Sequence, residues 1–220
     1  KNIWMGTYGE GLLQYVNELF IEHRANAGEN FLSVSADRKD NIILVTPKGL
    51  FKTTDSTSTR NLTPLIPNTA SRQVSYVSFI NDTLYVAGEN KNSVFIYDYH
   101  NGKIKEEFEF PKNSSVLVNH ISGRGETLYV STNQGIFILS SRLKLIRHFN
   151  HETGLLRDYV YSAMCDSKGR LWVASHGTKP YWIDPYTGEI EYSNDIPGMN
   201  IFNINGYVED HEGNIWIATE

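Results

Sequence analysis
A six-residue phrase recurs six times in this chain: Asn2-Ile-Trp-Met-Gly-Thr7, Asn41-Ile-Ile-Leu-Val-Thr46, Thr83-Leu-Tyr-Val-Ala-Gly88, Thr127-Leu-Tyr-Val-Ser-Thr132, Arg170-Leu-Trp-Val-Ala-Ser175 and Asn214-Ile-Trp-Ile-Ala-Thr219. Its bulky third position falls at Trp4, Ile43, Tyr85, Tyr129, Trp172 and Trp216, with successive spacings of 39, 42, 44, 43 and 44 residues. A period of about 40–45 residues is that of a propeller blade, a four-stranded sheet repeated around a centre.

The columns of the phrase say what surrounds it. Neighbours in an extended strand point to opposite sides, so Ile3 and Met5 share one face while Trp4 and Gly6 share the other. Neither face is polar, which predicts a short strand sandwiched between two sheets. A large residue followed by a small one on one face (Trp4/Gly6, Tyr85/Ala87, Trp172/Ala174, Trp216/Ala218) lets a ring lie over the small position of an adjacent layer.

The remainder of each period supplies three more strands. Residues 32–36, 74–79, 118–122, 159–164 and 202–208 read as the innermost strand of successive blades, and 11–15, 49–53, 94–98, 135–139 and 181–184 as third strands. Turns at 37–41, 166–170 and 210–214 keep an Asp six residues before the ring position, where its carboxylate can accept backbone N–H groups. Asp98 to Gly102 and Asp184 to Gly188 turn the chain into a fourth strand. No helical pattern emerges. The expectation is an all-β chain, a β-propeller segment over 1–220 with about five repeats, near 1–30, 31–73, 74–117, 118–158 and 159–200, and a partial one at 201–220.

Composition permits this fold, since 40% of residues are hydrophobic and can fill a large core. A net charge of −5 with no Lys/Arg cluster argues against nucleic acid or an anionic membrane as partner. No stretch approaches the roughly 18 apolar residues of a spanning helix, so no direct membrane insertion is expected. The single Cys165 excludes an internal disulfide and reads as a small core residue.

Three copies carry more than the period. Asp210-His-Glu-Gly-Asn-Ile-Trp-Ile-Ala-Thr219, Asn2-Ile-Trp-Met-Gly-Thr-Tyr-Gly-Glu-Gly-Leu12 and Gly154-Leu-Leu-Arg-Asp-Tyr-Val-Tyr-Ser-Ala-Met-Cys-Asp166 resemble the two-component regulator propeller repeat. The resemblance spans essentially the whole chain, although the copies at Ile43 and Tyr85 lack the aromatic-Gly-Thr signature. In that family two seven-bladed propellers precede a β-sandwich, one membrane span, a histidine kinase and a receiver. The resemblance therefore implies the periplasmic sensor region of a Bacteroides-type hybrid two-component system, held in an inner-membrane protein. It implies an oligosaccharide ligand, a signal relayed to the kinase, and a homodimer.

Chemistry-bearing motifs are absent from the sequence: there is no Gly-x-Ser-x-Gly elbow, no phosphate-binding glycine loop and no Cys pair for zinc. His151-Glu152 and His211-Glu212 lack the second His of a zinc helix. No catalytic residue, metal ligand or cofactor is expected. Ligand contacts belong to loops, because packing consumes the strands. The loops after the phrase (8–10, 89–92, 133–134, 176–180) and those leading into the next innermost strand (23–30, 68–73, 150–159, 194–200) emerge at one end of the sheets. The candidate ligand-binding residues there are Arg157, Asp158, Tyr159, His176 and Lys179, whose plainer reading is solvated or turn-stabilising loop residues.

Two other functions compete. The end of the chain, Asn214-Ile-Trp-Ile-Ala-Thr-Glu220, is similar to repeats of streptogramin lyases, which are seven-bladed metal-dependent enzymes; a purely structural interaction propeller is the third reading. The same phrase near both ends predicts an arc cut from a seven-bladed propeller. Its open blade faces would then associate with remaining blades or with another copy of the chain.

Overall fold
A computed structural model describes residues 3–7, 11–16, 19–23, 31–39, 41–53, 62–67, 73–88, 92–112, 115–192 and 203–219. The expected loops at 8–10, 24–30, 68–72, 89–91 and 194–200 lie outside the described residues. The chain divides into two compact units, 1–113 and 114–220.

The first unit holds three antiparallel sheets. They are β1 (Ile3–Thr7), β2 (Gly11–Val16) and β3 (Leu19–His23); β4 (Ser33–Ala36), β5 (Ile42–Thr46), β6 (Gly49–Thr53) and β7 (Leu62–Pro67); and β8 (Val74–Ile80), β9 (Thr83–Gly88), β10 (Ser93–Asp98) and β11 (Lys103–Glu109). The second unit holds β12 (Val118–Arg124), β13 (Thr127–Thr132), β14 (Gly135–Ser140) and β15 (Leu145–Phe149); β16 (Val160–Cys165), β17 (Leu171–Ser175), β18 (Tyr181–Ile183) and β19 (Ile190–Tyr192); and the pair β20 (Ile204–Glu209) and β21 (Ile215–Thr219). Within each sheet neighbours in sequence are neighbours in space. This is the blade pattern, and the chain is an all-β propeller fold.

The recurring phrase forms the second strand of each four-stranded sheet, and both its faces are covered. On β5, Ile43 and Val45 pack with Val74, Val77, Val86 and Phe95 of the next sheet, while Ile42 and Leu44 join Phe31 on the other side. On β17, Leu171 and Val173 pack with Tyr129, Ile136, Ile138 and Phe149, while Trp172 meets Trp182 at 4.8 Å and Tyr207 at 5.3 Å. Each fully buried aliphatic side chain contributes about 1.5–3 kcal/mol. The ring positions differ in cover: Trp216 on β21 is 63% exposed where Trp172 is 6% exposed.

The Asp six residues before the ring does more than cap a turn. Asp166 accepts from the N–H groups of Lys168 and Arg170, from Arg170 Nε and from Trp172 Nε1 at 2.9 Å. Asp210 repeats this with Glu212, Asn214 and Trp216 Nε1 at 2.8 Å. Ile43 has no such donor, and the Tyr99 hydroxyl donates to Asp37 instead. The shared spacing follows from the turn, in which Asp37, Asp166 and Asp210 each accept from the N–H groups two and four residues on, and a Trp at the sixth position brings its indole N–H within reach.

Two features depart from a regular four-strand reading. Register shifts interrupt the start of β8, β12, β16 and β20, at Ser75, Asn119, Tyr161 and Asn205. Each is a bulge that bends the innermost strand and re-aims its first side chains. Also, a 3₁₀ turn, His151–Thr153, interrupts the strand pattern in the loop after β15. Adjacent innermost strands are stitched by serines: Ser33 Oγ bonds the Val77 carbonyl, Ser122 the Ala163 carbonyl and Ser162 the Asn205 carbonyl.

Candidate ligand-binding site
The second unit carries all five candidate residues, and its loops are built to present them. Asn150 caps the 3₁₀ turn, accepting from Thr153 N while Thr153 Oγ1 accepts from Asn150 N. Gly154 follows at φ +116°, a conformation L side chains rarely adopt. Leu155 is buried and pins the loop to the core formed by Phe149, Val160 and Tyr181. Asp158 faces back into the loop, its Oδ1 accepting from His151 N and its carbonyl from Gly135 N. It is a loop-holding residue, which matches the plainer of its two sequence readings.

The neighbouring loop after β13 is held as firmly. Thr132 Oγ1 accepts from Gln134 N, and the Asn133 and Gln134 amides both donate to the Ser115 carbonyl. His148 stacks on Phe137 at 3.9 Å, with its Nε2 2.8 Å from the Gln134 carbonyl. Gly135, at φ +101°, has no room for a side chain: a Cβ there would lie 1.9 Å from the Phe149 carbonyl oxygen.

Tyr159 and His176 are brought together by register. Val160 pairs with Ser175, so the residue before one and the residue after the other flank the same pair at the end of β16–β17. His176 also forms a backbone bridge with Asn203, just before β20. Tyr159 is 48% exposed and meets the edge of Tyr161 at 5.4 Å. Arg157 and Lys179 are exposed on the loops on either side, while Thr178, between His176 and Lys179, is buried against Ser175. The arrangement offers a half-exposed tyrosine face, an imidazole and two cations.

Sequence reasoning missed Asn119, Tyr161 and Asn203. Asn119 Nδ2 donates to the Val160 carbonyl at 2.8 Å, steadying the strand that carries Tyr159. Asn119 and Tyr161 occupy bulges, and nothing in the repeat announces those, because the register shift appears only once the strands pair. The strand residues Tyr181 and Trp182 divide between two surroundings: Tyr181 is buried in the core, and Trp182 lies against Trp172 with the Arg170 guanidinium 4.9 Å from its ring. Among the described residues, no group of three or more His, Cys, Asp or Glu is placed to hold a metal ion.

Residues 154–177, which span the Arg157–Tyr159 loop, β16, β17 and His176, match the two-component regulator propeller family. No curated protein matches the chain. Among solved structures, a protein of unknown function from Bacteroides caccae superposes with a TM-score of 0.74 at 15% identity, covering 99% of this chain and 82% of the other. The extracellular domain of a putative hybrid two component system from B. thetaiotaomicron superposes with a TM-score of 0.50 at 13% identity, covering 99% of this chain. This chain spans 44% of that domain. Virginiamycin B lyase from Staphylococcus aureus is also similar, with a TM-score of 0.63 at 14% identity, over 86% of this chain and 63% of the lyase. Identities this low establish the propeller fold. The chain has a β-propeller fold, and its residues 154–177 are similar to the two-component regulator propeller family.

Proposed function
We propose that this chain is the extracytoplasmic, periplasmic sensor segment of a hybrid two-component signalling protein. It binds an oligosaccharide at the end of the second unit and passes the signal to a histidine kinase. The observation that carries this reading is the coincidence of two things in one stretch: residues 154–177 match the regulator repeat, and the same residues hold Tyr159 and His176 side by side. The similarity to the extracellular domain of a putative hybrid two component system supports it. A tyrosine face suits the C–H side of a sugar ring, and Arg157, His176 and Lys179 can hydrogen-bond hydroxyl or carboxylate groups. The segment on this reading binds and signals, and does no chemistry of its own. Among the described residues, no helix is long and apolar enough to cross a membrane.

Calorimetry against a panel of neutral and acidic oligosaccharides tests the proposal. Binding should appear with one glycan class, and Tyr159→Ala should weaken it about tenfold, or about 1.4 kcal/mol. Heat with no member of the panel would leave the structural reading, and turnover of a streptogramin would establish the enzyme reading.

A further inference from the structure
Two Asn-Gly steps occur in the chain, Asn101-Gly102 and Asn205-Gly206, and the fold holds them differently. At such a step the glycine nitrogen can reach the side-chain amide before it, because glycine has no Cβ to crowd the approach and few limits on its backbone. Asn205-Gly206 lies within β20. Gly206 pairs with Ala218 of β21, and the Asn205 carbonyl accepts from Ser162 Oγ, so the backbone on both sides of that step is tied. Asn101-Gly102 is exposed in the turn between β10 and β11, with Gly102 at φ +66°. Among the described residues, the atom nearest to a Cβ on Gly102 would be Tyr97 Oη at 3.9 Å. The bonds of this turn converge on Asp98: Oδ1 accepts from His100 N and Asn101 N, while Oδ2 accepts from Asn101 Nδ2 at 2.8 Å and pairs with Lys105 at 3.0 Å. They engage the nitrogens of His100 and Asn101, and not that of Gly102.

We propose that Asn101-Gly102 is a self-modification site, at which the chain turns its own side-chain amide into a carboxylate. Hydroxide takes the proton of the Gly102 nitrogen, which attacks Asn101 Cγ. A new C–N bond forms, the Cγ–Nδ2 bond breaks, and the departing nitrogen takes a proton from water and leaves as ammonia. Water then opens the cyclic imide at either carbonyl, leaving Asp or isoaspartate at position 101. Asp98 is the brake, because its bond to Nδ2 must break before Cγ can turn onto the Gly102 nitrogen. Conversion removes that donor for good. It also sets a second carboxylate beside Asp98, whose carboxyl the bonds from Asn101 and Lys105 hold below its ordinary value of 3.8.

Peptide mapping that separates Asn, Asp and isoaspartate tests this, on the folded chain and on the urea-unfolded chain kept side by side at mildly alkaline pH until the unfolded chain has converted both steps. In the folded chain Asn101 should convert, with isoaspartate among its products, while Asn205 stays an amide. Gly102→Ala, whose methyl crowds the attacking nitrogen, should slow the folded-chain conversion about tenfold, equivalent to about 1.4 kcal/mol of barrier. Conversion of both steps alike in the folded chain, conversion of neither, Asp as the sole product at 101, or an unslowed Gly102→Ala variant would each overturn the proposal.

Discussion
At the scale of single residues, buried hydrogen bonding decides more than charge. Burial pushes the Asp166 carboxyl up, but bonds from Trp172 and Arg170 outweigh it and hold the group below its ordinary value of 3.8. Asp166→Ala leaves a buried indole N–H and a guanidinium without their acceptor and should cost about 3 kcal/mol or more. Asp210→Ala, on the exposed copy, should cost much less; urea denaturation of both variants makes the comparison. Asp210 is itself held down to about 2 by bonds from Trp216 and Asn214. For carboxyls lowered in this way the stability is present above pH 3.8 and is lost as pH falls through the folded-state values. His120 sets a second window. Desolvation lowers its pKa from 6.5 to about 4, with Nδ1 sealed from solvent although the residue is half-buried. Its neutral form therefore contributes nothing unfavourable above pH 6.5, and stability declines as pH falls from 6.5 towards 4, by at most about 3 kcal/mol. His120→Gln should flatten that slope in a pH series of unfolding midpoints and leave the carboxylate window in place.

At the scale of strands and turns, glycine positions separate from one another sharply. Gly135 opens β14 at φ +101°, with the Phe149 carbonyl 1.9 Å from where a Cβ would sit, whereas Gly169 at φ +83° has open space around it. Gly169→Ala should cost about 1 kcal/mol for the left-handed backbone alone. Gly135→Ala should cost well above that, since the backbone of β15 must move, and it should loosen Asp158 and the Tyr159 loop. Chemical denaturation of the two variants tests the order. Strand identity was legible in the sequence because the phrase alternates large and small apolar residues, and the innermost strands begin and end within two residues of their expected places. The bulges at Asn119 and Tyr161 were not legible, because they arise from pairing between strands and carry no residue signature. The backbone-capping role of Asp166 was legible, but its bond to the Trp172 indole was not, since that link depends on the hairpin being folded first.

At the scale of the molecule, the chain divides into two compact units, and in the second the loop after β15 is held by its own hydrogen bonds and by buried Leu155. Of the five candidate residues, Tyr159 and His176 come together by register, Arg157 and Lys179 flank them, and Asp158 is occupied with its own loop. The sequence could point to loops but could not rank the residues within them, because that ranking follows from which side chains the loop needs for itself. On the function proposed above, this end of the second unit binds an oligosaccharide. Thermal unfolding across a glycan panel tests it most directly, since a ligand at a hundred times its dissociation constant adds about 2.7 kcal/mol of stability. One glycan class should raise the unfolding temperature of the chain. Tyr159→Ala should cut the rise to about half, since a tenfold weaker ligand then adds only about 1.4 kcal/mol, while Tyr186→Ala, at an 85% exposed tyrosine between the third and fourth strands, should preserve it. No rise with any glycan, or an equal rise in the Tyr159→Ala variant, would contradict it.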